Sequence, residues 1–152
     1  TGCDLLPATA AAIAAACPNV VAIKEASSSP ERAEALLAEG ALAVLIGEDG
    51  LLAHLARRGA AGAISVLANV VPSRVVELLR AAAPGGDPAR AHELEEGLAP
   101  LTRALFLETN PSPVKAALAI LGYGTGEVRL PLVPLSEAGR ARLLPALADS
   151  GA

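Results

Sequence analysis

Three short apolar runs decide what this chain can fold into: Val20–Ala26, Leu42–Ile46 and Gly62–Val66. Each has the length of one strand, each ends at polar or turn-forming residues, and a helix-length stretch separates each from the next. Apolar residues at consecutive rather than alternate positions are expected of strands covered on both faces, as in a parallel sheet flanked by helices. Strands that alternate with helices build right-handed βαβ units. The composition agrees. Hydrophobic residues make up 53% of the chain and aromatic residues 1%, so the core has to be assembled from Ala, Leu, Val and Ile.

In order, the pattern predicts a helix over Asp4–Ala16, with Pro7 in its first turn, and then the first strand. Ser27-Ser28-Ser29-Pro30-Glu31 turns into a second helix, with Ser29 as N-cap and Pro30 at the first helical position; Gly40 stops it after Glu39. The second strand leads through Gly47-Glu48-Asp49-Gly50 to a short helix over Leu51–Arg58, and the third strand is followed by a helix over Val71–Ala83. After the break Pro84-Gly85-Gly86-Asp87-Pro88 the strand runs disappear. Pro88–Leu107 reads as a long helix bent or split at Pro100, Val114–Leu121 as a helix, Val128–Pro134 as an extended proline-pinned segment, and Ser136 and Glu137 open a last helix to about Ala148. The expected division is residues 1–83 as the α/β part and residues 84–152 as a helical appendage.

The 152 residues suffice for a real core, and a net charge of -4 with no basic tail argues against nucleic-acid binding. No apolar run reaches membrane-spanning length, and the first residues lack the features of a signal peptide. Cys3 and Cys17 lack metal-motif spacing and read as free cytosolic thiols. The chain begins at Thr1 and contains no Met, which reads as a piece of a longer protein.

Lys24 closes the first strand and is one of two lysines, with Lys115; every other basic side chain apart from histidine is arginine. A lysine at the end of a buried strand is either one that snorkels to solvent or a nucleophile. Burial favours the neutral amine, which attacks carbonyl carbon to form a Schiff base; Val21, Ala22 and Ile23 are candidates for the apolar wall and rigid support that this chemistry needs. Glu25, on the opposite face by strand alternation, reads as a structural hydrogen-bonding or ion-pairing carboxylate. Gly47 ends the second strand, either as a plain turn residue or as a site of close substrate approach. Ser65 ends the third strand, either as a backbone cap or as a hydrogen-bond partner of substrate or lysine. Glu48 and Asp49 have no third ligand nearby and read as a solvated loop. His54 and His92 lie away from strand ends and read as structural or exposed, and the absence of a Gly-x-Ser-x-Gly elbow rejects a serine hydrolase.

Six motifs in one order carry a resemblance: Thr1-Gly2-Cys3-Asp4-Leu5-Leu6-Pro7, Ile23-Lys24-Glu25-Ala26, Gly62-Ala63-Ile64-Ser65-Val66, Ala68-Asn69-Val70, Asn110-Pro111-Ser112-Pro113-Val114-Lys115 and Leu130-Pro131-Leu132-Val133-Pro134-Leu135. Together they resemble, over essentially the whole chain, the C-terminal half of the dihydrodipicolinate synthase family of pyruvate-dependent class I aldolases. The resemblance implies the last strands of a (β/α)8 barrel followed by a helical C-terminal domain. It implies that Lys24 forms the imine with pyruvate, that Gly47 and Ile64 line the pyruvate site, and that the enamine condenses with aspartate semialdehyde on the route to lysine. It further implies that no metal or organic cofactor takes part, and that the full-length enzyme is a cytoplasmic homotetramer, a dimer of dimers.

This sequence departs from the family pattern in three places: Ser27-Ser28 stands where Thr-Gly is common, Gly47-Glu48-Asp49 where Gly-Asp-Asp is usual, and Leu67 where Thr follows the third-strand motif. These leave open a sister activity of the N-acetylneuraminate or 2-keto-3-deoxy acid type, although Ile-Lys-Glu-Ala favours the synthase. A non-catalytic fragment retaining only the fold is the other alternative. The family's first half, with its Thr-Thr pair, proton-relaying tyrosine and carboxylate-binding arginine, is not among these residues. Three strands cannot close an eight-stranded barrel. The expectation is therefore a sheet with an exposed face and an unpaired edge, inactive or nearly so by itself.

Overall fold

The structure, a computed structural model, describes residues 4–152. Twelve elements follow one another: α1 (Pro7–Ala16), β1 (Ala22–Glu25), α2 (Pro30–Glu39), β2 (Ala43–Ile46), a 3-10 turn (Asp49–Leu51), α3 (Leu52–Arg57), β3 (Gly62–Ala63), a second 3-10 turn (Leu67–Asn69), α4 (Pro72–Ala82), α5 (Pro88–Leu105), α6 (Ser112–Ile120) and α7 (Glu137–Ala148). They fall into two compact units. One holds the residues up to Ser65 with Leu79–Pro88, the other Val66–Leu78 with Ala89–Ala152.

In the first unit the three strands form a parallel sheet in the order β1-β2-β3. The register aligns Lys24 with Leu45 and Leu45 with Gly62. One face of the sheet is covered: Val44 packs with Ala10 of α1 and Leu36 of α2, and Ile23, Leu37 and Leu42 close around them. The turn chemistry follows the sequence. The Ser29 side chain accepts the Arg32 N–H at the start of α2, and Gly40 ends that helix at φ 63°, a conformation that suits glycine. α1 starts at Pro7 rather than Asp4 because Leu6, the residue before proline, is extended (φ -60°, ψ 147°).

β3 is shorter than the apolar run that encodes it. Only Gly62 and Ala63 belong to the ladder with β2. The Ile64 N–H still reaches the Ile46 carbonyl at 2.8 Å before the chain leaves the sheet. The expectation of strands covered on both faces is also corrected. Ile64, on the face that the helices of this unit leave open, is 49% exposed, and Val21, just before β1, is 69% exposed. The open face and open edges are those expected of three strands that do not close a barrel.

The second unit is helical among its described residues. α5 buries Ala91, Leu94, Leu98, Leu101, Ala104 and Leu105 along one side. It runs unsplit through Pro100, which forgoes one backbone hydrogen bond there. α6 packs against α7. The Ser136 side chain caps α7 by accepting the Gly139 N–H at 3.0 Å, and the same hydroxyl donates to Glu108 Oε1 at 2.5 Å. Residues 128–134 form no strand; they contain a turn in which Leu132 N–H bonds the Arg129 carbonyl at 3.0 Å. Among the described residues no helix is long and apolar enough to cross a membrane.

Candidate functional site

β1 presents its last two residues to opposite faces, as the pleat requires. Lys24 is exposed on the open face and Glu25 is buried on the covered one. On the open face Lys24 stands level with Leu45 and, one strand further, Gly62. Two residues beyond these lie Gly47 and Ile64, directed to the same face by the same alternation. The Gly47 N–H donates to the Glu25 carbonyl at 2.7 Å, which extends the β1–β2 ladder past the regular strands.

Lys24 and Gly47 are fitted to each other. A Cβ placed on Gly47 would lie 2.6 Å from Lys24 Cε, 2.8 Å from Ala26 Cβ and 2.8 Å from the Glu25 carbonyl oxygen. The lysine side chain therefore lies across the bare glycine backbone. Gly47 does not have a positive φ, so the space, and not the conformation, calls for glycine. Of the residues that the sequence singles out, the structure brings Lys24, Gly47 and Ile64 onto one face. Ser65, half-buried, lies beyond the paired part of β3.

The expected surroundings of Lys24 need one correction. Val21 was read as part of an apolar wall, yet it is largely exposed, and Lys24 is itself exposed on the uncovered face. Polar groups instead surround Glu25 on the covered face. Glu25 Oε1 accepts the Ser27 N–H at 2.7 Å and Oε2 accepts Arg32 Nε–H at 2.9 Å. Ser27 Oγ accepts the Ser29 N–H at 3.4 Å, and Ser29 Oγ accepts the Arg32 N–H at 3.3 Å. These four bonds close a ring through the β1–α2 turn. Arg32 also ion-pairs with Asp4 at 2.9 Å and donates to the Leu5 carbonyl. Sequence reading anticipated a structural role for Glu25 and the cap at Ser29 but missed Arg32; the available signal was a single arginine one helical turn after a buried carboxylate's turn.

Burial alone would raise the Glu25 carboxyl, but the Ser27 hydroxyl and N–H and the Arg32 guanidinium outweigh it and hold the group below the usual glutamate range. The sign of the linkage follows. A carboxyl lowered in the folded state stabilises the fold above its unfolded value, and this contribution is lost as pH falls through the lowered folded value. We expect denaturant unfolding of the wild-type chain to lose stability below the ordinary glutamate range, and Glu25→Gln to show a smaller loss over the same acid interval. Equal acid slopes in the two proteins would contradict this assignment.

The loop after β2 differs from its reading as solvated. Asp49 is buried, and Glu48 Oε1 accepts the Gly50 N–H at 3.3 Å to start a 3-10 turn. His54 serves structure: its Nε2 lies 2.9 Å from Glu34 Oε1, which Arg58 Nε also meets at 2.6 Å. His92 is exposed on α5 near Glu96. Cys17 is an exposed free thiol, and Cys3 lies outside the described residues.

A parallel α/β sheet with a lysine at a strand end, laid over a glycine on the neighbouring strand, defines an α/β protein whose reactive candidate sits at the C-terminal rim of its strands. The sequence profile of the Dihydrodipicolinate synthetase family matches residues 1–149, and the chain belongs to that family. It is 47% identical over 151 residues to a 4-hydroxy-tetrahydrodipicolinate synthase of Thermomicrobium roseum, covering 98% of this chain and 49% of the relative. The synthase of Halorhodospira halophila is 44% identical, with 99% of this chain and 50% of the relative covered. Among solved structures, the dihydrodipicolinate synthase of Thermotoga maritima matches with a TM-score of 0.93 at 41% identity, covering 99% of this chain and 52% of that one. The Acinetobacter baumannii enzyme complexed with pyruvate matches with a TM-score of 0.92 at 40% identity and the same coverage. The chain thus spans about half the length of the curated relatives it matches, and its fold is that of the C-terminal part of their (β/α)8 barrel with the helices that follow.

Proposed function

We propose that Lys24 forms a Schiff base with pyruvate, and that the whole protein to which these residues correspond condenses it with aspartate semialdehyde. The observation that carries this reading is the lysine lying across Gly47 on an accessible sheet face, with Ile64 on the same face. The amine of Lys24 attacks the C2 carbonyl of pyruvate, and water leaves as the imine forms. The protonated imine draws electrons, so a C3 proton is lost and an enamine results. The enamine carbon attacks the aldehyde, and the semialdehyde's own amine then closes on the imine carbon and displaces Lys24. The net change is loss of one water and formation of 4-hydroxy-tetrahydrodipicolinate.

In this reading Gly47 leaves room over the backbone, Ile64 supplies an apolar contact, and Ser65 is a hydrogen-bond donor near the reacting groups. The chemistry needs no metal or organic cofactor. Residues 1–83 form the barrel part and residues 84–152 the helical domain. The full-length enzyme is a cytoplasmic homotetramer built from dimers.

The test joins this chain to the upstream half of the Thermomicrobium roseum relative in place of the segment it matches. Pyruvate followed by borohydride should leave a reduced adduct on Lys24, located by peptide mass spectrometry. An intact, folded graft that carries no adduct on Lys24 would remove the aldolase reading. The 152 residues by themselves should show little condensation. General acid-base relay typically contributes ~100-fold or more, and the matching groups of the family lie outside this sequence.

A further inference from the structure

Resting on the imine assignment of Lys24, we propose that Glu25 is the positioning residue for that lysine, and that the Glu25–Ser27–Ser29–Arg32 ring is the device through which it acts. Lys24 is exposed and its stem, lying across Gly47, is flexible, so where the amine points depends on how firmly the backbone at the strand end is held. What is fixed is the backbone on either side. The Glu25 carbonyl is held from β2 by the Gly47 N–H, and the Glu25 carboxylate is held from the turn by Ser27 and Arg32.

Arg32 has all three of its side-chain nitrogens engaged: Nε with Glu25, and the two terminal nitrogens with Asp4 and the Leu5 carbonyl. The carboxylate is 4% exposed and the guanidinium 18% exposed, so this pair is screened less than a surface pair. The ring ties the residue next to Lys24 to the first turn of α2 and to the segment before α1. Beyond Glu25 the chain runs Ala26-Ser27-Ser28-Ser29, with no large side chain to anchor it. The buried acid thus does for the strand end what the apolar wall was expected to do.

Removing the carboxylate charge should keep much of the fold but let the strand end move. In the grafted full-length chain, Glu25→Gln should lower the maximal rate of borohydride-trapped adduct formation by about tenfold per folded molecule, since misplacement of a reacting group by an ångström costs up to about 100-fold. The pyruvate concentration at half-maximal rate should change little, because Glu25 faces away from the open face. Arg32→Ala should have a similar effect, and Arg32→Lys, which keeps the charge but not the fork, should recover part of the rate. Glu34→Gln, on the same helix but in the His54–Arg58 cluster, should leave trapping unchanged whatever it does to stability. Equal trapping rates in wild type and Glu25→Gln, or an equal loss in Glu34→Gln, would overturn the positioning role alone. A wild-type graft with no adduct would overturn the lysine assignment, and the positioning role with it.

Discussion

Replacing Lys24 with arginine should abolish the pyruvate adduct and lower condensation by the grafted full-length chain by at least about 1,000-fold, because loss of a covalent nucleophile is among the largest single-residue effects known. Arginine keeps the positive charge and much of the stem but stays protonated and offers no lone pair. The fold should survive the change, because arginine keeps the charge and much of the stem that lies over Gly47. Lys24 is exposed on the uncovered face of β1. The combination is the informative part: an unfolding midpoint that stays in place while the adduct disappears. Lys115→Arg serves as the control, since Lys115 bonds the Glu127 carbonyl in the helical unit. An adduct that persists in Lys24→Arg and vanishes in Lys115→Arg would overturn the assignment of the chemistry to Lys24.

Much of the α/β part is legible in the sequence because its signals are local. Ser29-Pro30 and Gly40 bracket α2 by capping and backbone geometry alone, and consecutive apolar residues mark β1 and β2. What is not local is not legible. β3 pairs at two residues, and no residue of Gly62–Val66 marks where that pairing stops. Exposure of Lys24 and Ile64 depends on what covers the sheet, and an apolar run reads the same whether the cover lies within the chain or outside it. Asp49 looks like a loop acid by composition and is buried by the 3-10 turn around it. The ring through Glu25 and Arg32 requires the strand end and the helix start to face each other, which spacing alone does not establish. The motif order singled out Lys24, whereas the bonded ring beside it came into view only with the turn in three dimensions.

Gly47→Ala is the second decisive substitution, because the new methyl group meets three neighbours at once. Its Cβ would stand 2.6 Å from Lys24 Cε, 2.8 Å from Ala26 Cβ and 2.8 Å from the Glu25 carbonyl oxygen. The lysine tip can rotate away, but the Glu25 oxygen is backbone and accepts the Gly47 N–H at 2.7 Å. Relief therefore requires β1 and β2 to part at the point where the ladder extends beyond them. Overpacking of this kind costs about 1–3 kcal/mol, and a displaced lysine should form the adduct about 100-fold more slowly. Gly62→Ala separates this clash from a general glycine effect. It lies on the same face one strand over, where a Cβ would meet Leu45 Cδ2 at an ordinary 3.6 Å. That substitution should be neutral or stabilise by up to about 1 kcal/mol by limiting the unfolded chain, with trapping unchanged. If both alanines slow trapping alike, the fit of Lys24 over Gly47 is not what the reaction uses. If Gly47→Ala alone does so, the bare backbone beneath the lysine is part of the site.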